Sequence, residues 1–117
     1  MLFIDIDGTY YPCSPLSYSK NMVMGNVFSS AISEIPKQKI GKLFLQRNTS
    51  KIPYCKKCVF QGVCRGGCPA NSYLHKKDIN KIDPFCPYWE GIISHVFERI
   101  TKEPEIIKLI PDYTIRF

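Results

Sequence analysis

Apolar and polar positions divide the chain into short elements with one long element near the end. Leu2 to Ile6 and Thr9 to Pro12 flank Asp7-Gly8, a dipeptide that accepts the positive φ angles of a tight turn, which predicts an antiparallel hairpin over residues 2–12. Pro12 and Pro15 bracket Cys13 and end the second strand, and residues 14–24 read as loop. Gly25-Asn26 opens a helical pattern in which Val27, Phe28, Ala31, Ile32 and Ile35 recur at helical spacing, with Pro36 closing it. Ile40, Leu43, Phe44 and Arg47 share a face of a second short helix, terminated by Asn48-Thr49-Ser50. Ile52 to Pro69 reads as loop and Ala70 to Lys76 as a short helix. The clearest helix runs from about Pro87 to Thr101, with a proline where no helical amide is lost. Its apolar stripe of Trp89, Ile92, Ile93, Val96, Phe97 and Ile100 is expected to be core. One more turn is expected around Ile106 to Ile110. The fold class is α+β: a small domain with an N-terminal hairpin, short helices, a cysteine-rich loop and a final amphipathic helix.

At 117 residues the chain has room for one domain with a modest core, and 1–117 is read as a single domain. No apolar run approaches the roughly 18 residues that cross a bilayer. The first residues carry Asp5 and Asp7 where a secretory leader would carry basic residues, so the expected location is cytoplasmic, with no membrane partner.

That location changes how the 6 cysteines are read. In an oxidising compartment an even count in a small domain predicts disulfides, whereas in a reducing one clustered cysteines bind metal or do redox chemistry. Five of them fall between positions 55 and 86. The formal charge of +6 adds Lys37, Lys39, Lys42, Arg47, Lys51, Lys56, Lys57 and Arg65 near or before the cluster. They are not interleaved with aromatics as a base-stacking surface requires, so nucleic acid is not favoured as a partner. A solvated face that also offsets thiolate charge is the simpler reading.

The central run, Cys55-Lys-Lys-Cys58-Val-Phe-Gln-Gly-Val-Cys64-Arg-Gly-Gly-Cys68-Pro69, is C-x2-C-x5-C-x3-C-P. Two cysteines separated by two residues can put both sulfurs on one centre, and Gly62, Gly66 and Gly67 supply the bends that wrapping a cluster demands. Cys86 follows in Asp-Pro-Phe-Cys-Pro, directly before the long helix. A structural zinc site made of cysteines usually pairs two C-x2-C motifs, and here only one exists. The C-x3-C-P ending instead echoes the bacterial ferredoxin run, which favours an iron–sulfur cluster over zinc. Zinc stays as the alternative or adventitious occupant, in a structural interaction module with a basic face.

The ordered spacing resembles the SPASM domain, the auxiliary-cluster domain of radical SAM enzymes that mature peptides and proteins. Cys13, eleven residues, Gly25, four residues and Ser30 precede Cys55, Cys58, Cys64, Cys68 and the isolated Cys86. Asp7-Gly8-Thr9-Tyr10-Tyr11-Pro12-Cys13 and Cys64-Arg-Gly-Gly-Cys68-Pro-Ala also look like family members, so that the likeness spans roughly residues 4–90. The resemblance implies that Cys55, Cys58, Cys64 and Cys86 hold a second auxiliary 4Fe–4S cluster, with Cys13 and Cys68 belonging to a first. Ser30 stands where that first cluster expects a cysteine, and a serine oxygen is a poor soft-metal ligand. It implies a first site that is absent, labile or of other nuclearity. Asp7, where some relatives carry another ligand, is more simply a turn residue.

The same resemblance implies a domain that relays electrons and positions a peptide substrate. Its partners would be a radical SAM catalytic domain, in the same gene or a separate one, and a peptide or protein substrate. Binding S-adenosylmethionine needs C-x3-C-x2-C, and Asn71 stands where the third cysteine would follow Cys64 and Cys68. S-adenosylmethionine is therefore expected only in that catalytic domain, and this chain is not expected to be catalytic alone. His75 and His95, the 2 histidines, form no triad with a serine and an aspartate.

Overall fold

A computed structural model of the chain describes residues 2–109. It is the expected α+β domain. Two short strands, β1 (Phe3–Ile4) and β2 (Tyr10–Tyr11), pair antiparallel with Phe3 opposite Tyr11 and Ile4 opposite Tyr10. Asp7 is a turn residue, its carboxylate accepting from the Thr9 amide at 2.9 Å.

The segment after the hairpin departs from expectation. Residues 24–27 run back along β2, with the Met24 amide donating to the Tyr10 carbonyl and the Tyr10 amide to the Gly25 carbonyl. Asn26 fixes the next turn: its carboxamide donates to the Asp7 carbonyl at 2.9 Å and accepts from the Phe28 amide at 3.0 Å. These bonds outcompete a helix from Gly25. Val27 and Phe28 are exposed, and after Gly25 helical structure begins only with a 3-10 turn at Ile32–Lys37, which contains Pro36 rather than stopping at it; residues 14–24, read as loop, hold two shorter 3-10 turns at Ser14–Leu16 and Lys20–Met22.

Among the described residues five α-helices follow: α1 (Lys39–Leu45), α2 (Pro53–Lys56), α3 (Gln61–Cys64), α4 (Pro69–Lys76) and α5 (Cys86–Lys102). The stretch read as loop from Ile52 to Pro69 thus holds two single-turn helices, one begun by Pro53 at a position suited to proline. Gly62 lies within α3 and does not form a bend, whereas Gly66 and Gly67 do, at φ +77° and +68°.

Two small groups of buried side chains hold these pieces. Tyr11, Leu16 and Met22 from the hairpin side meet Ala70 and Tyr73 of α4 and Ile79. Tyr10, Met24 and Ile35 form the other, and Ile40 of α1 packs against both. The apolar stripe of α5 is not part of either. No residue of α5 is buried, and Ile92, Val96 and Phe97 are 38%, 47% and 48% exposed. The helix is fixed at its first turn and extends for 17 residues, about 25 Å at 1.5 Å per residue, so most of its length has no core to meet. The expected last turn is present as a 3-10 segment at Pro104–Leu109; Ile110 lies outside the described residues.

Two glycines with opposite surroundings test this packing. A Cβ at Gly41 would collide with the Ile35 carbonyl oxygen, whereas one at Gly91 in α5 meets nothing. Gly41→Ala is expected to lose about 3 kcal/mol through overpacking, and Gly91→Ala to gain about 0.5–1 kcal/mol from helix propensity. Urea unfolding of the two variants beside the parent chain measures both.

Candidate metal centre

Each cysteine of the 55–86 region is set by a helix end or a turn. Cys55 lies in the single turn of α2, Cys58 just after it, Cys64 closes α3 and Cys86 opens α5. The Cys58 amide donates to the Cys55 carbonyl at 3.1 Å and the Cys64 amide to Phe60 at 2.8 Å, fixing the loop that joins them. Cys55, Cys58, Cys64 and Cys86 line one cavity. Cys55 is buried and the other three are half-buried. Among the described residues, no group of three or more His, Cys, Asp or Glu is gathered as a site for a single metal ion.

Cys13 and Cys68 stand apart from these four. Both pack against the larger core group, and both line a second, mostly apolar cavity with Pro12, Met24, Ile35 and Phe44. Burial pushes the Cys13 thiol above its ordinary value, and the neighbouring Cys68 adds to the rise. Ser30 instead lies over Gly25, with its Oγ 3.0 Å from where a Cβ would be.

Glu90, Tyr54 and Asp83 also line the first cavity and Arg47 bonds to its Gly66 edge, and sequence reading assigned a ligand role to none of them. Glu90, one turn beyond Cys86, places its Oε1 4.0 Å from the Sγ of Cys58 and equally far from that of Cys86. The Tyr54 hydroxyl donates to the same oxygen at 3.1 Å. Asp83, only 1% exposed, accepts from the Cys68 amide at 2.7 Å, the Phe85 amide at 2.9 Å and the Trp89 indole at 3.2 Å. Arg47 donates to the carbonyls of Ile79, Arg65 and Gly66 at 2.8, 3.1 and 2.9 Å. Its burial lowers the guanidinium pKa, opposed by Cys55, Cys68, Asp83 and Cys64 within electrostatic reach. Trp89, expected in the core, forms part of the cavity wall. A signal for Asp83 was present, since Asp before Pro favours a turn whose carboxylate bonds the amide two residues on. The spacing of Arg47 and Glu90 gave no such signal.

The thiols suit a soft, electron-poor centre. Burial raises Cys55, and repulsion from Cys58 and Cys64 raises it further. Cys86 is pushed up to about 11, by burial first and then by Glu90 and the other cysteines. Four thiolates sharing one cavity repel each other, and a cation among them removes that cost while releasing their protons.

A family model described as SPASM, iron–sulfur cluster-binding domain, matches residues 1–59. The match contains Cys13, Cys55 and Cys58 and ends before Cys64, Cys68 and Cys86. No curated protein matches the chain.

The raised thiols give the metal-free protein a pH dependence. A thiol whose folded value lies above its ordinary 9.0 adds stability at pH below that value. The contribution is lost as pH rises through about 11. Metal-free protein under reductant is expected to melt at falling temperature as the pH rises from about 9 to about 11. Glu90→Gln removes one cause of the Cys86 shift and is expected to weaken that fall, read by thermal melts at stepped pH.

Proposed function

Because the chain belongs to the SPASM family of iron–sulfur cluster-binding domains, we propose that Cys55, Cys58, Cys64 and Cys86 ligate a 4Fe–4S cluster and that the domain serves a radical SAM enzyme acting on a peptide or protein. The observation that carries the reading is the sharing of one cavity by these four side chains, brought from α2, the loop after it, α3 and α5. Cys13 and Cys68 form the remnant of a second site, with two thiols where a complete cluster needs more.

A cluster bound there supplies one-electron chemistry. The rest falls to the residues of this chain. Phe60, Trp89 and Ile93 form apolar wall around the cavity and limit water. Arg47 places a guanidinium near both cysteine groups and offsets negative charge. Family resemblance supports the finer roles: relaying electrons to or from a radical SAM catalytic domain, and positioning its peptide substrate. No described helix is long and apolar enough to cross a membrane.

Anaerobic reconstitution with ferrous iron and sulfide is expected to give a brown protein with broad visible absorbance. Cys58→Ser is expected to abolish that absorbance, and Cys13→Ser to leave it nearly intact. A colourless product holding one tightly bound zinc would sink the proposal; loss of about half the iron in Cys13→Ser would show the second site to be a cluster site as well.

A further inference from the structure

We propose that Asp83 is a positioning residue shared by the two cysteine groups, joining the backbone of Cys68 in one to the helix start that carries Cys86 in the other. The inference rests on the reading that the four-cysteine cavity holds a cluster. Its basis is the bonding of one carboxylate. Oδ2 accepts from the Cys68 amide at 2.7 Å and from the Trp89 indole at 3.2 Å, and Oδ1 accepts from the Phe85 amide at 2.9 Å. Asn71 of α4 approaches both oxygens, at 3.3 and 3.4 Å. Every partner is an N–H donor, the pattern an acceptor-only ionised carboxylate satisfies. The Cys86 amide in turn donates to the Asp83 carbonyl at 2.9 Å, so that side chain and backbone of one residue reach both groups.

The sequence around Asp83 is shaped to admit it. A Cβ on Gly67 would stand 2.5 Å from Asp83 Oδ2 and 2.6 Å from its Cβ, and Gly67 is at φ +68°. Only glycine meets both demands. On the other side of the same loop, Arg47 donates to the Gly66 carbonyl, and a Cβ on Gly66 would stand 2.7 Å from Thr49 Cγ2. The link between Cys64 and Cys68 is therefore gripped from two sides, by a carboxylate and a guanidinium. A shift of the Cys86 helix start must move Asp83, and with it Cys68.

Asp83→Asn keeps the size but turns one accepting oxygen into a donor facing donors. Reconstituted Asp83→Asn is expected to lose iron to a chelator about tenfold faster than the parent chain, and to alkylate at Cys68 about tenfold faster although Cys68 lies outside the cage. Its cluster is also expected to reduce at a more positive potential, since a negative charge on the cavity wall is gone, which a merely structural role would not produce. Unchanged iron release, Cys68 alkylation and potential would overturn the inference. Should the parent chain itself take up no iron, the cluster reading fails instead, and Cys68 alkylation in metal-free protein still decides the role of Asp83. If Asp83→Asn loses its helical circular dichroism, Trp89→Phe replaces it. That variant removes one donor only; faster iron release supports the inference and an unchanged rate overturns it.

Discussion

The burial of several sulfurs in one small space is the constraint on which this structure turns. Four cysteine side chains share one cavity with a glutamate beside them, and burial and crowding raise the thiols of Cys55 and Cys86. Left metal-free, such a cavity opposes ionisation of its own donors. The fold resists by holding each cysteine at a place where the backbone has no freedom: in or just after single-turn helices, and at the first residue of a long one. The apolar core is small and sits to one side, between the hairpin and α4. It cannot by itself fix the 55–68 loop. That task falls to Arg47 and Asp83, which close on the Gly66-Gly67 link from opposite faces.

Much of this was legible in the sequence. The Asp7-Gly8 hairpin, the helix at Ile40 to Phe44, a short one over Ala70 to Lys76 and the long one from about Pro87 were readable from turn chemistry and periodicity, and the last two begin one residue earlier in the structure. The spacing of the six cysteines carried the family. Where reading failed, long-range bonding was the cause. Val27, Phe28, Ala31 and Ile35 have helical spacing, but Asn26 ties the start of that segment to Asp7, nineteen positions earlier, and no local pattern reports such a bond. The stripe on α5 has correct helical period, yet period reveals which face is apolar and not what covers it. The local turn at Asp83-Pro84 was readable, but the wider reach of its carboxylate was hidden for a similar reason. Its donors come from residues 68, 71, 85 and 89, and only the folded chain brings them together.

The division of the cysteines also has a local physical origin. Cys64 and Cys68 are four positions apart, but Arg65 at φ +52° and the two positive-φ glycines turn the chain between them. Cys64 lines the cavity shared with Cys55, Cys58 and Cys86, and Cys68 lines a separate cavity beside Cys13 and Met24. A regular helix through this stretch would have put both on one face. Three successive left-handed steps would be needless in an ordinary connection. Here they separate two pairs of chemical surroundings within a few residues.

The long α5 carries a mechanical consequence. Its root is tied by Asp83, Trp89 and the Cys86 amide, while beyond the stacking of Phe97 on Phe60 its far end carries exposed ion pairs between Lys102 and Glu98 and between Arg99 and Glu103, at 2.5 and 2.7 Å. Such exposed pairs stabilise by roughly 0.3–0.5 kcal/mol each, far less than the buried bonds at the root. The two ends therefore belong to different cooperative units. The distal turns can fray and re-form many times while the thiols stay where they are, so mobility at the tip and rigidity at the sulfur cage coexist in a single helix.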